Sequence, residues 1–172
     1  MKLYKARVPL IAKAVLERLI SEKDIEVQPD NRAEAEQDII AIMESFLRRD
    51  IELRDAVKET MSRRAIPYDQ YSKIRNDIAD SWGHPTGDSI QKFLSRQIVE
   101  NFMISRWVDE VFGDDDNMFK KILDTMKSFD VDESALRAEA QEKVKNAVEG
   151  TVDYEIAFGQ ALKEVRKRHG LI

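Results

Sequence analysis

Residues 63–90 read RRAIPYDQYSKIRNDIADSWGHPTGDSI. Two of the chain's four prolines, Pro67 and Pro85, fall in this stretch. Pro67 ends one helical pattern, because proline removes a donor and pushes the preceding residue away from helical angles. Asp69 can cap the next helix, which carries Tyr71, Ile74, Ile78 and Trp82 on one stripe. Gly83 then stands where a helix C-terminal glycine belongs, with Pro85 just beyond. Asp88 opens a fresh apolar pattern. The stretch is therefore a helix end, a whole helix and a join to a second helical run, which makes the chain a series of helices.

Towards the N-terminus, Val8, Ile11, Val15 and Leu19 recur at helical spacing, widened by Leu10, Ala14 and Ile20. Pro9 suits a first turn. Ile25-Glu26-Val27 alternates and reads as a short extended segment, kept from helix by Pro29. Asn31 and Glu34 have the spacing of a capping box. The helix that follows buries Ile39, Ile40, Met43, Phe46 and Leu47. Asp50 is a candidate cap for a separate helix with Leu53, Val57 and Met61 inward.

Towards the C-terminus, an apolar stripe runs through Ile90, Leu94, Ile98, Phe102 and Met103, extending towards Trp107, Val108, Val111 and Phe112. Asp116 or Asn117 caps the next helix, with Phe119, Ile122, Leu123 and Met126 inward. Asp130 with Glu133 is a further box-like cap, ahead of Leu136, Ala140 and Val144. Gly150-Thr151 breaks and recaps. Tyr154, Phe158, Ala161, Leu162 and Val165 line the last helix, which Gly170 ends.

A constant shift of about 83 residues aligns the two series without a gap, as an internal repeat would. It sets Ile39 on Ile122, Met43 on Met126, Phe46 on Phe129 and Tyr71 on Tyr154. The expectation is an all-α fold of about eight helices. They form two similar four-helix halves, residues 1–84 and 85–172, with one shared core or two left open.

Several stretches resemble a bacterial family called domain of unknown function 507. They are IPYDQYSKIRNDIADSWG, GDSIQKFLSRQIVE, VDEVFGDD and VKNAVEGTVDYEIAFGQALKEVRKRHGL, with the opening LYKARVPLIAKAVLERLISEKDIEVQPDN. The resemblance covers most of the chain in the right order. It implies single or doubled units, the doubled form agreeing with the repeat. The family's last helix carries Trp then Tyr where Tyr154 and Phe158 stand here, so the hydroxyl has moved. The resemblance supplies no catalytic residues.

Composition narrows the function classes. The 172 residues include no cysteine, which excludes disulfides, thiolate zinc sites and cysteine nucleophiles. No apolar run approaches the roughly 18 residues of a membrane span. The basic, then apolar start is interrupted by Lys13, Glu17 and Arg18, so a cytoplasmic protein is expected and no membrane partner. The net charge of −5 argues against a chain dominated by phosphate binding.

No cofactor or metal is expected. His84 and His169 each sit just past a helix C-terminus, where the dipole favours a cation, and neither has a visible triad partner. The acidic run Asp114-Asp115-Asp116-Asn117 lacks the spacing of a calcium loop and reads as a helix start. Gly83 and Gly87 belong to a turn, not a phosphate loop.

Two surfaces remain. Arg63, Arg64, Lys73 and Arg75 surround Tyr68 and Tyr71, an arrangement able to grip phosphates and stack on bases; a solvated surface is the plainer reading, and the shared repeat position of Tyr71 and Tyr154 argues that these rings are core. Lys163, Arg166, Lys167, Arg168 and His169 suit a helix C-terminus on dipole grounds alone. Trp107, with Val111 and Phe112, is a candidate partner anchor, because tryptophan is enriched at interface hot spots; core packing is the plainer reading. The sequence assigns no activity. Its leading reading is a non-enzymatic interaction or scaffold protein, which presents Trp107, Val111, Phe112 and the Ile66–Tyr71 turn to another protein or to itself. The alternatives are a nucleic-acid-associated protein and an enzyme of unrecognised type using some of the 33 acids.

Overall fold

The computed structural model describes residues 2–146 and 150–172. In chain order the elements are α1 (Val8–Ser21), β1 (Ile25–Glu26), α2 (Arg32–Arg63), α3 (Tyr71–Trp82), α4 (Ser89–Phe102), β2 (Glu110–Val111), α5 (Asp115–Ser128), α6 (Glu133–Lys143) and α7 (Val152–Arg168). The two short strands pair antiparallel, Ile25 with Val111 and Glu26 with Glu110. The alternation at Ile25–Val27 thus forms the expected extended segment.

The expected eight helices in two four-helix halves are not found. Among the described residues there are seven α-helices, three before residue 85 and four after it, and no internal repeat is evident. The decisive element is α2. It runs unbroken for 32 residues, about 48 Å at the usual rise. The second half, by contrast, breaks between α5 and α6. No glycine or proline interrupts residues 32–63, and a mid-helix aspartate costs well under about 1 kcal/mol relative to alanine. Asp50 therefore stays helical. Its carboxylate meets Arg75 at 3.0 Å and Arg54 at 3.6 Å instead of capping a new helix.

The unbroken α2 serves two cores. Its first half contributes Ala35, Ile39, Met43 and Phe46 to the main core, built with α1, α4 and α5. Its second half packs Leu53, Val57 and Met61 on Ala79 of α3, with Ile74, Ile78 and Trp82 around them. A third cluster holds α6 against α7 through Leu136, Ala140, Leu162 and Val165. Adjacent residues near the start of the chain join two of these bodies: Leu3 enters the main core and Tyr4 enters the α6–α7 cluster.

Several caps differ by a residue or two from expectation. Asp114, not Asp116 or Asn117, accepts the Asn117 backbone N–H to start α5. Asp132, not Asp130, caps α6 by accepting from Ser134 and Ala135. Neither Asn31 nor Asp88 caps through its side chain. Thr151 caps α7 and Gly83 closes α3 in the left-handed conformation, both as read.

A polar latch ties α1 to α5. Arg18 donates to Glu22, to the Lys121 carbonyl and to the Thr125 hydroxyl. The Lys121 ammonium bridges Asp24 at 2.6 Å and Glu22 at 2.7 Å. The Asp24 carbonyl also accepts the Phe112 and Gly113 N–H groups, so one residue anchors both the strand pair and the entry to α5.

Candidate protein-interaction surface

The α2–α3 hairpin ends in a tight tip. The last turn of α2 closes with the Ile66 N–H donating to the Met61 carbonyl at 2.9 Å. Ala65 takes a left-handed φ of 49°, which costs a residue with a Cβ on the order of 1–3 kcal/mol. That turn aims Ile66 back at the hairpin. It also delivers Pro67 and the 3₁₀ turn Tyr68–Gln70 to the outside. Replacing Ala65 by Gly removes the Cβ penalty and loosens the unfolded chain by about 0.5–1 kcal/mol. Ala65→Gly should therefore leave the melting temperature unchanged or raise it by a few degrees. A clear fall would show that the turn is not strained.

Tyr68 is 81% exposed, and its ring lies 5.6 Å from that of half-buried Tyr71. Below it opens a cleft of about 470 Å³ lined by Lys58, Met61, Ser62, Ala65, Ile66 and Tyr71. The tip carries Lys58, Arg63, Arg64 and Lys73 against Glu59 and Asp69. Arg63, Arg64 and Lys73 are exposed. Arg75 does not join them. It is half-buried and turned to Asp50, because one turn along α3 its side chain faces α2. The expected four-residue basic patch is thus reduced to three.

The other expected contact region is more firmly held than its irregular sequence suggests. Ser105 donates to Asp38 at 2.7 Å, Asp109 accepts from the Gln28 N–H, and the Asp109 N–H donates to the Glu26 carbonyl. Trp107 is half-buried against the main core, with the Arg106 guanidinium 4.4 Å over its ring. Val111 is half-buried in β2. Phe112 remains 59% exposed and Ile104 83%. Met103 and Leu10, read as part of inward stripes, are about half exposed. Met103 lies beyond the end of α4, and Leu10 lies on the outer side of α1. Ile104 carried no signal in the sequence, since a lone apolar residue past a helix end has no periodicity to betray its direction.

His84 is the largest departure from the sequence reading. It is buried, not a solvated dipole partner. Its ring stacks on Phe46 at 4.9 Å and its Nε2 lies 3.5 Å from the Asp50 carboxylate, too long for a strong hydrogen bond. Burial lowers its pKa, and Asp50 only partly offsets that. His169 is exposed and pairs with Glu139. Among the described residues no three His, Asp or Glu side chains are grouped as a metal ion would require. No helix among them is long and apolar enough to cross a membrane.

Sequence comparison places the chain. No curated protein matches it. A family model described as a protein of unknown function, DUF507, matches residues 1–171 as one stretch, with no sign of a doubled unit. Nearly the whole fold described above, from the Tyr4 staple to the end of α7, is therefore covered by one family pattern, and the chain belongs to the DUF507 family.

Proposed function

We propose that the protein is a non-enzymatic interaction protein, and that the α2–α3 tip is its principal contact. The observation that carries this reading is Tyr68, 81% exposed above an apolar cleft at the end of a projecting hairpin. A tyrosine offers large, rigid contact area with a polar end. The strained Ala65 turn fits the same role, since strain is retained where a local shape is used. The rim of Lys58, Arg63 and Arg64 suits a partner segment with an apolar side chain between acidic residues. Phe112, flanked by the half-buried supports Trp107 and Val111, offers a smaller second contact.

The test is capture on the immobilised protein after nuclease treatment, comparing wild type with Tyr68→Ala and with Arg63→Glu. A hot-spot tyrosine contributes about 2 kcal/mol or more, roughly thirty-fold in affinity. A protein partner held by wild type and lost in Tyr68→Ala supports the reading. A partner held equally by both variants removes the tip from consideration. The second reading, nucleic-acid association, is favoured by one observation: Arg63, Arg64 and Lys73 are exposed, and none is held in an ion pair among the described residues. It predicts recovery that disappears with nuclease, falls steeply with salt and is lost in Arg63→Glu.

A further inference from the structure

A second cleft, of about 370 Å³, opens between the start of the chain, the middle of α2, α3 and the turn before α4. Its floor includes Phe46 and Ile90, and its walls carry Lys2, Arg54, Arg75 and Asp50. We propose that this cleft binds a small organic phosphate, with the phosphate on Lys2, Arg54 and Arg75 and the organic part on Phe46 and Ile90.

The charges around the cleft are out of balance. Among the described residues Asp50 is the one acid lining it, and it is divided among Arg75 at 3.0 Å, Arg54 at 3.6 Å and the His84 ring at 3.5 Å. Among the described residues Lys2 has Glu133 at 3.9 Å as its ion-pair partner and stands 5.1 Å over the Tyr4 ring. Glu133 is already engaged by Arg166 at 3.0 Å, and its other carboxylate oxygen is buried without a hydrogen bond. The chain as a whole is acidic, with a net charge of −5, so a gathering of cations here is not a consequence of composition.

Lys2 registers the imbalance. Its pKa is lowered first by burial and then by Arg166, with Arg54 and Arg137 adding to the effect against Glu133. Cations that line one cleft repel one another unless an anion is shared among them. Two guanidinium groups and an ammonium present forked and point donors together, which suits a tetrahedral dianion with several acceptor oxygens. Asp50 holds Arg75 in place and so acts as a positioning residue. The apolar floor and a volume within the range of small-molecule sites, about 300–1,000 Å³, favour an organic phosphate over a bare ion.

Calorimetric titration of the full chain with phenyl phosphate and inorganic phosphate, at matched ionic strength against chloride and sulfate, tests this. Saturable binding is expected, tighter for phenyl phosphate than for inorganic phosphate. It should weaken at least tenfold in Arg54→Gln and in Lys2→Gln and be unchanged in Lys13→Gln, an exposed α1 lysine that does not line the cleft. Arg54 is half exposed, so its removal leaves the core intact. A thermal melt of each variant checks this, and Lys2→Gln stands in if Arg54→Gln unfolds. The Lys2 ammonium, followed by NMR, should titrate at higher pH once phosphate is bound. Absence of saturation, equal binding of sulfate, or unchanged binding in both variants would overturn the assignment.

Discussion

Ile98→Ala should lower the stability of the whole molecule, whereas Leu53→Ala should chiefly release one hairpin. Both side chains are fully buried and of equal size. Truncation of such a residue costs about 2–5 kcal/mol, including the cavity left behind. In a chain of this length that corresponds to a melting temperature lower by roughly 4–20 °C. The difference lies in what each residue holds together. Ile98 lies on α4 in the main core, among side chains from α1, α2 and α5. Leu53 belongs to the smaller cluster with Val57, Met61 and Ala79, outside that core. Local opening follows the weakest cooperative unit. Amide exchange should therefore accelerate throughout α1, α2, α4 and α5 in Ile98→Ala. In Leu53→Ala it should accelerate first in α3 and the end of α2. Equal acceleration of α1 and α3 in Leu53→Ala would mean that the clusters unfold as one unit.

Gly113→Ala carries the second large effect. A Cβ at this position would stand 2.8 Å from an Asp24 carboxylate oxygen, 3.0 Å from the Asp24 Cβ and 3.0 Å from the Met118 side chain. Met118 is fully buried and Asp24 nearly so, so neither yields freely. Overpacking of this kind costs about 1–3 kcal/mol. Relief of the clash requires Asp24 to shift, and the same carboxylate holds Lys121 at 2.6 Å, so the Asp24–Lys121 pair should weaken. In a double-mutant cycle with Asp24→Ala the two losses should be less than additive, because the second change removes part of the obstacle. Full additivity would show that the contact with Asp24 does not set the cost.

The same latch gives the pH dependence a sign. Lys121, through its hydrogen bond first, and then Arg18 hold the Glu22 carboxyl below its ordinary 4.5. Asp24, and then Glu22, hold the Lys121 ammonium above its ordinary 10.5. The Glu22 contribution to stability is complete above pH 4.5 and is lost as pH falls through its lowered value. The Lys121 contribution is complete below pH 10.5 and is lost as pH rises through its raised value. Urea unfolding across the alkaline range should thus show a smaller loss in Gly113→Ala than in wild type, because the Asp24–Lys121 pair is already weakened.

What could be read from the chain alone follows from local physics. Helical periodicity marked the inward faces of α1, α4, α5 and α7, and Gly83 and Thr151 marked real helix ends. The short alternation at Ile25–Val27 suggested an extended segment but left open whether it is a strand, which the pairing of Ile25–Glu26 with β2 decides. Tyr68 was named from the sequence only as a candidate contact among basic residues; its 81% exposure is set by the turn that follows α2.

Other features were decided by contacts between distant parts of the chain. An aspartate inside a helical pattern reads as a cap when its partners are unknown. Asp50 lies inside the unbroken α2, and it is Arg75, 25 positions later, that takes up the carboxylate a cap would have used. His84 reads as a solvated cation by its place after α3, and became a buried ring because Phe46 lies beneath it. The agreement between two shifted series of apolar residues suggested a duplication. Apolar spacing records only which face of a helix is buried, not what buries it. The two cores that α2 serves, the place of Tyr4 in the α6–α7 cluster, and the cation-lined cleft all depend on which faces meet, and that is set by tertiary packing and not by local periodicity.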